Sequence, residues 1–385
     1  MDHDACRRPS PPPWAELPGD ALGEIAGRLH DAADFVRFHA VCRPWREAPP
    51  PPRAPSFHPC LLREAGSSDA PTLHLHSPFS RKTRHPPPNW TLAALRGKML
   101  ESPDVASGRV LALGCSHHGD RTAMLINPLT GDATSLPPLP EDISPSNNAW
   151  QSTNGTACAN GVIVLHKRLE ELAAILLRPG QADWEDIDMA AATEMGLCPH
   201  EFARRAATLC SSGVLPGGAR AIAELPPEPD GDRYVLESRG ELLCIDVQDV
   251  QGYHEGEPGG TPALAVSAYA LEVNDDGRPQ WVKREKGRGI ERMCLFLDWF
   301  SRHGFAIDGG EFDDLELAGG SAYIVGKKWT GRERMGVVYR YSFKDGTTAV
   351  VDELPARFDR ASMWYVPRPR ISQLPCVHDV SSNCK

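Results

Sequence analysis

The sequence predicts a mainly β fold, with a small N-terminal three-helix unit followed by a β-propeller of about six or seven blades. Three observations predict it. The 385 residues hold 36 Pro and 34 Gly, so turns recur too often for long helices. From residue 57 to 370, short runs of β-forming residues alternate with Gly, Pro, Asn and Asp. Only residues 14–48 carry a helical period.

Two proline blocks bracket the helical unit: Pro9 with Pro11 to Pro13 before it, and Pro49 to Pro52 with Pro55 after it. Such runs favour extended polyproline II, so 49–56 is predicted to be a semi-rigid linker. Within 14–48, Pro18 suits a first helical turn. Leu22, Ile25, Ala26 and Leu29 follow at i, i+3, i+4 and i+7 as one apolar stripe. Asp31 is placed to cap a second helix, whose Phe35, Phe38 and Cys42 share a face. Pro44 then opens a short turn carrying Trp45. So short a unit buries its apolar side chains poorly without help. The stripe needs an outside surface, either the rest of this chain or another protein, and the pattern does not choose.

Downstream, examples of the predicted strands are Val110 to Leu113, Ala123 to Ile126, Val162 to Leu165, Ala174 to Leu177, Leu242 to Val247, Ala268 to Val273, Met293 to Leu297, Ala322 to Val325 and Val337 to Phe343. A strand, a Gly-containing turn and a second strand recur loosely. The clearest cases turn at Asn127 to Gly131, Asn274 to Gly277 and Lys344 to Gly346. Blades of roughly 40–50 residues fit 57–370 six or seven times; a pair of β-sandwiches is the alternative. Residues 191–206 read as helical or irregular and 249–262 as an exposed loop. The tail 371–385 is predicted to be disordered.

A net charge of −10 and a pI near 5.8 argue against a nucleic-acid or anionic-membrane surface. Eleven Cys include no C-x-x-C pair. Met1 to Pro13 holds no apolar signal region, and no apolar run approaches the roughly 20 residues that span a bilayer. The expectation is an intracellular protein with reduced thiols, cytoplasmic and/or nuclear. In that setting the sequons at Asn89 and Asn154 have no meaning.

No residue pattern points to catalysis. Gly320 to Lys328 comes nearest to a phosphate-binding loop, but five residues separate Gly320 from Gly326 and Lys328 replaces the Ser/Thr. A β-turn followed by surface lysines fits better. No dinucleotide fingerprint follows a strand and no nucleophile elbow is present. His74 and His76 alternate on one face of a strand-like stretch, with His117-His118 as the pair that would complete a metal site; strand and loop histidines are the simpler reading. The same holds for Cys198 and His200 near His166. Asp308, Glu311, Asp313, Asp314 and Glu316 surround a Gly309-Gly310 turn, but their spacing fails the EF-hand pattern. Trp90, Trp150, Trp184, Trp281, Trp299, Trp329 and Trp364 are core candidates of the β domain. No cofactor or metal is expected, and the chain is expected not to be an enzyme.

Leu17-Pro18, Asp20, Leu22, Ile25, Leu29, Asp34, Phe35, Phe38, Val41-Cys42-Arg43 and Trp45-Arg46 resemble the F-box in order and spacing. Residues 57–370 are similar to plant F-box proteins whose C-terminal part is a KIB-type β-propeller domain of unknown function. The Leu125 to Gly131 run and Leu136 to Pro140 carry that likeness, with looser agreement at Gly319 to Val325 and Val338 to Phe343. The resemblance implies docking on a Skp-type adaptor and, through it, on a cullin of an SCF ubiquitin ligase. Leu17, Pro18, Leu22, Ile25, Leu29, Val41, Cys42 and Trp45 would form or support that contact, with a protein substrate held by the propeller. Phe35 and Phe38 read equally well as internal core.

The implied work is non-catalytic: holding a substrate near a ubiquitin-charged enzyme raises its effective concentration. Two alternatives stay open. One is a propeller enzyme or small-ligand binder. The other is a scaffold with a decayed F-box, which Gly23, Gly27 and Pro44 favour; Ala21 also stands where the family has a larger aliphatic residue.

Overall fold

The computed structural model describes residues 13–29, 31–47, 57–67, 70–84, 95, 98–104, 107–115, 121–140, 153–157, 161–167, 174–187, 231–238, 241–249, 263–275, 279–284, 289–298, 303–311, 317, 319–330, 333–358 and 362–368. The predicted linker 49–56, the segments 191–206 and 250–262 and the tail 371–385 lie outside them. Backbone contacts divide the described chain into two compact units, one up to His58 and the other from Pro59 to Arg368.

In the first unit, a 3-10 turn at Pro13–Glu16 precedes α1 (Gly19–Gly27), α2 (Ala32–Ala40) and α3 (Arg43–Arg46). Pro18 caps α1 from outside, with its carbonyl accepting from the Leu22 N–H at 3.0 Å, instead of sitting within the first turn. Asp31 caps α2: its Oδ1 accepts from the backbone N–H of Ala33 at 2.9 Å and of Asp34 at 3.1 Å. Pro44 lies in the first turn of α3, where its missing N–H costs nothing.

In the second unit, β1 (Cys60–Ser67), β2 (Ala70–Ser77) and β3 (Lys82–Arg84) begin the first sheet. The second is a meander of β4 (Lys98–Asp104), β5 (Arg109–Cys115), β6 (Arg121–Ile126) and β7 (Ala133–Ser135). The third runs β8 (Thr153–Ala157), β9 (Ile163–Lys167), β10 (Ala174–Leu177) and β11 (Glu185–Ile187), and the fourth β12 (Asp232–Ser238), β13 (Glu241–Asp249), β14 (Leu264–Val273) and β15 (Pro279–Lys283). The fifth holds β16 (Met293–Asp298), β17 (Gly304–Asp308), β18 (Ser321–Thr330), β19 (Glu333–Ser342) and β20 (Thr347–Glu353) in the order β17-β16-β18-β19-β20. β21 (Met363–Tyr365) returns to pair antiparallel with β1, so the first sheet takes a strand from each end of the unit.

This is a propeller arrangement. Neighbouring sheets meet face to face and their apolar cores lie between them: the second and third sheets around Leu111, Leu165 and Ile175, the fourth and fifth around Ile245, Leu295 and Ile324, the fifth and first around Phe296, Tyr323 and Trp364. Along one edge, β21 lies against β4, β4 against β8, and β12 against β17. A sheet covered on both faces needs near-continuous apolar strands, and Leu242 to Val247 is buried at every position.

The described residues form five sheets, not the six or seven expected. The fifth spans Met293 to Glu353 because β16 and β18 pair in parallel, which needs a crossover that a simple meander lacks. Residues 188–230, between the third and fourth sheets, lie outside the described residues. The sandwich alternative is replaced by these separate blades. No described helix is long and apolar enough to cross a membrane.

Three contacts fasten the returning C-terminal segment, one to the fifth sheet and two to the second. The Trp364 indole donates to the Leu297 carbonyl at 3.1 Å. The Tyr365 hydroxyl donates to the Gly108 carbonyl at 2.9 Å. Asn127 Oδ1 accepts from the N–H of Leu129 and Thr130, and its Nδ2 donates to the Arg368 carbonyl at 3.2 Å. The Asn-Pro-Leu-Thr-Gly run is therefore a turn that also grips the returning C-terminal segment.

Candidate protein-docking site

The helical unit has a well-filled aromatic centre. Phe35 and Phe38 are buried; Phe35 meets Phe57 at 5.1 Å between ring centroids and His39 at 4.6 Å. Phe38 meets Trp45 at 4.5 Å. Of the two readings left open for these phenylalanines, core is the one observed. His39 Nδ1 donates to the Trp45 carbonyl at 2.9 Å, and the Trp45 indole N–H donates to the Trp14 carbonyl at 3.0 Å. These bonds tie α2, α3 and the N-terminal turn together.

The predicted contact residues then separate by depth. Leu22 is 1% exposed, and with Ala26 forms the inward face of α1. Ile25, about 60° around the helix from Leu22, is 40% exposed. Pro18 is exposed, and Leu17, Leu29, Val41, Cys42 and Trp45 are half-buried. Leu29 lies past the last turn of α1, and Cys42 caps α3. Leu22 thus holds the unit together, while Ile25 and Pro18 face outward.

Trp14 was not among the predicted residues. It is 43% exposed and packs edge-on against Trp45, with ring centroids 5.9 Å apart. A Trp directly after a proline block was the available signal, but sequence period does not reach it. Exposed large apolar side chains next to half-buried ones are what an anchor-and-groove contact uses.

Of the other candidates from the sequence, the described ones take part in turns, strands and pairs of the fold. His76 is buried, with Nε2 2.6 Å from Asp352 Oδ2 and Nδ1 2.8 Å from Thr83 Oγ1. His74 Nε2 lies 3.5 Å from Thr72 Oγ1. His117, His118, Cys198 and His200 lie outside the described residues. Among the described residues, no three His, Cys, Asp or Glu side chains cluster closely enough to hold a metal ion. Gly320 to Lys328 is a left-handed turn glycine followed by β18, with Lys328 Nζ 3.0 Å from Glu353 Oε1. Asp308 Oδ1 accepts from the Gly310 N–H at 3.1 Å in its turn; Asp313, Asp314 and Glu316 are not described.

No protein-family profile matches the chain. A stretch of 43 residues is 40% identical to an F-box protein from Arabidopsis thaliana, covering 11% of this chain and 13% of that protein. Among solved structures, TolB from Acinetobacter baumannii aligns with 80% of this chain and 57% of its own, at 10% identity and a TM-score of 0.30. A prolyl endopeptidase aligns with 80% of this chain and 41% of its own, at 9% identity and a TM-score of 0.27. Scores this low carry nothing further. The chain thus combines a short stretch similar to an F-box protein with a β-propeller arrangement.

Proposed function

We propose that this chain is a non-catalytic F-box substrate receptor of an SCF-type ubiquitin ligase. Residues 14–48 dock a Skp-type adaptor that bridges to a cullin, and a KIB-type propeller holds a protein substrate. In this reading the chain works in the cytoplasm or nucleus. The observation that carries it is the agreement between motif and exposure. Ile25 and Pro18 of the F-box-like pattern stand outward, flanked by half-buried Leu17, Leu29, Val41, Cys42 and Trp45. The short stretch similar to an F-box protein supports the same reading.

No bond is made or broken by this chain in that role. The propeller brings the substrate close to the transferring enzyme, and proximity supplies the rate. Mixing the full chain with purified Skp-type adaptor and cullin tests this by gel filtration. Co-elution of the three is expected, with the cullin entering only when adaptor is present. Elution of the chain alone sinks the assignment.

A further inference from the structure

His39 is 4% exposed, on the α2 face that packs against α3. Its Nδ1–H is committed to the Trp45 carbonyl at 2.9 Å, and its buried Nε2 has no hydrogen-bond partner. The rings of Phe35 and Phe38 flank it at 4.6 and 5.0 Å. On α3, Arg46 has Nε and Nη2 buried without a partner, and its charge is of the wrong sign to serve as counter-ion. Among the described residues of the three helices and the turn before them, the carboxylates are paired, capping or exposed. Glu24 pairs with Arg28 on α1, Asp34 with Arg37 on α2 and Arg43 with Glu47 on α3, Asp31 caps α2, and Glu16 and Asp20 are exposed.

A proton arriving on Nε2 therefore creates a buried cation with no counter-ion among the described residues. Burial already holds the His39 pKa below its ordinary 6.5, against the opposing effect of backbone contacts at Trp45 and Arg46. The conformation observed belongs to the neutral ring.

We propose that His39 is a proton-operated latch on the docking surface: neutral, it fastens α3 to α2; protonated, it frees α3 and with it Val41, Cys42 and Trp45. Its consequence for adaptor capture rests on the reading in the preceding subsection. A group whose pKa falls on folding stabilises fully above its unfolded value and loses that contribution as pH falls through the folded value. Release therefore occurs on the acid side of 6.5.

The test uses the full chain labelled at histidine Cε1, with His39→Gln assigning the resonance and supplying a non-titrating donor. NMR titration is combined with amide exchange of Arg46 and Glu47, whose N–H groups donate to Cys42 and Arg43 carbonyls, corrected for the intrinsic pH dependence. Adaptor affinity is measured over the same range. We expect exchange at these amides to quicken about fivefold or more, with its midpoint at the His39 pKa, and adaptor affinity to fall in step; His39→Gln should abolish both trends. Exchange with no midpoint at the His39 titration in the wild-type chain overturns the latch, even if the variant does not fold. A His39 pKa at or above 6.5 does the same. If exchange follows His39 but no adaptor binds at any pH, the latch stands and the docking reading falls.

Discussion

His76 Nε2 stands 2.6 Å from Asp352 Oδ2, joining β2 of the first sheet to β20 of the last across 276 positions of sequence. Both side chains are buried, and Thr83 holds the other ring nitrogen. Where β1 and β21 close the ring through backbone bonds, this pair closes it through side chains. Removing one member leaves the other buried and polar without its partner. His76→Leu should lower propeller stability by about 3 kcal/mol, read from urea unfolding. The double variant with Asp352→Leu should recover part of that loss.

Gly108 and Gly346 both have positive φ, at 64° and 66°, yet they should respond differently to alanine. A Cβ on Gly108 would lie 2.4 Å from Arg368 Cβ and 2.6 Å from its backbone nitrogen, whereas at Gly346 the nearest atom is the Tyr341 hydroxyl at 3.9 Å. Gly346→Ala should cost about 1 kcal/mol from backbone conformation alone. Gly108→Ala should cost about 2 kcal/mol or more, because it also pushes the closing segment away from the second sheet. Comparative thermal unfolding checks the ranking.

Asn127→Ala removes the acceptor for two backbone N–H groups and the donor to Arg368. A loss of about 2 kcal/mol is expected. Asn127→Asp keeps the acceptor but not the donor and should fall between. Faster amide exchange in the segment around Arg368 would mark the site of the damage.

Glu101 sits at the β4 bulge beside Leu100 and Ser102, and burial lifts its pKa from 4.5 to about 8, opposed by the Gly155 N–H. The protonated form is favoured by folding. Its contribution is therefore complete below 4.5 and is lost as pH rises through about 8. Glu101→Gln should flatten the fall in stability over that window, as followed by unfolding at a series of pH values.

Much of the β domain was legible because its middle strands are apolar on both faces. Ala174 to Leu177 matches β10 end to end, and Leu242 to Val247 lies wholly within β13. β4, with Glu101 and Pro103, and β8, with Thr153, Asn154 and Gly155, were missed, since neither carries an apolar run. β20, mostly exposed at the sheet edge, was legible only through the Lys344 to Gly346 turn that precedes it, since it has no apolar run of its own. The parallel β16–β18 pair depends on contacts distant in sequence and left no local mark. In the helical unit, the cap at Asp31 and the order of elements were readable; Cys42, expected on the second helix, instead caps α3 because α2 ends at Ala40. The difference between buried Leu22 and exposed Ile25 was not, because both are aliphatic members of one stripe and only packing separates them.

That difference gives the most direct measurement of the central claim. Calorimetric titration of a Skp-type adaptor into the full chain is compared with the same titration into Ile25→Asp. The wild type should bind with one-to-one stoichiometry, and Ile25→Asp should lose binding while unfolding at nearly the same temperature, because its side chain lies on the exposed face of α1. Leu22→Asp, by contrast, should unfold the helical unit. Equal binding by wild type and Ile25→Asp, or heat from neither, contradicts the account.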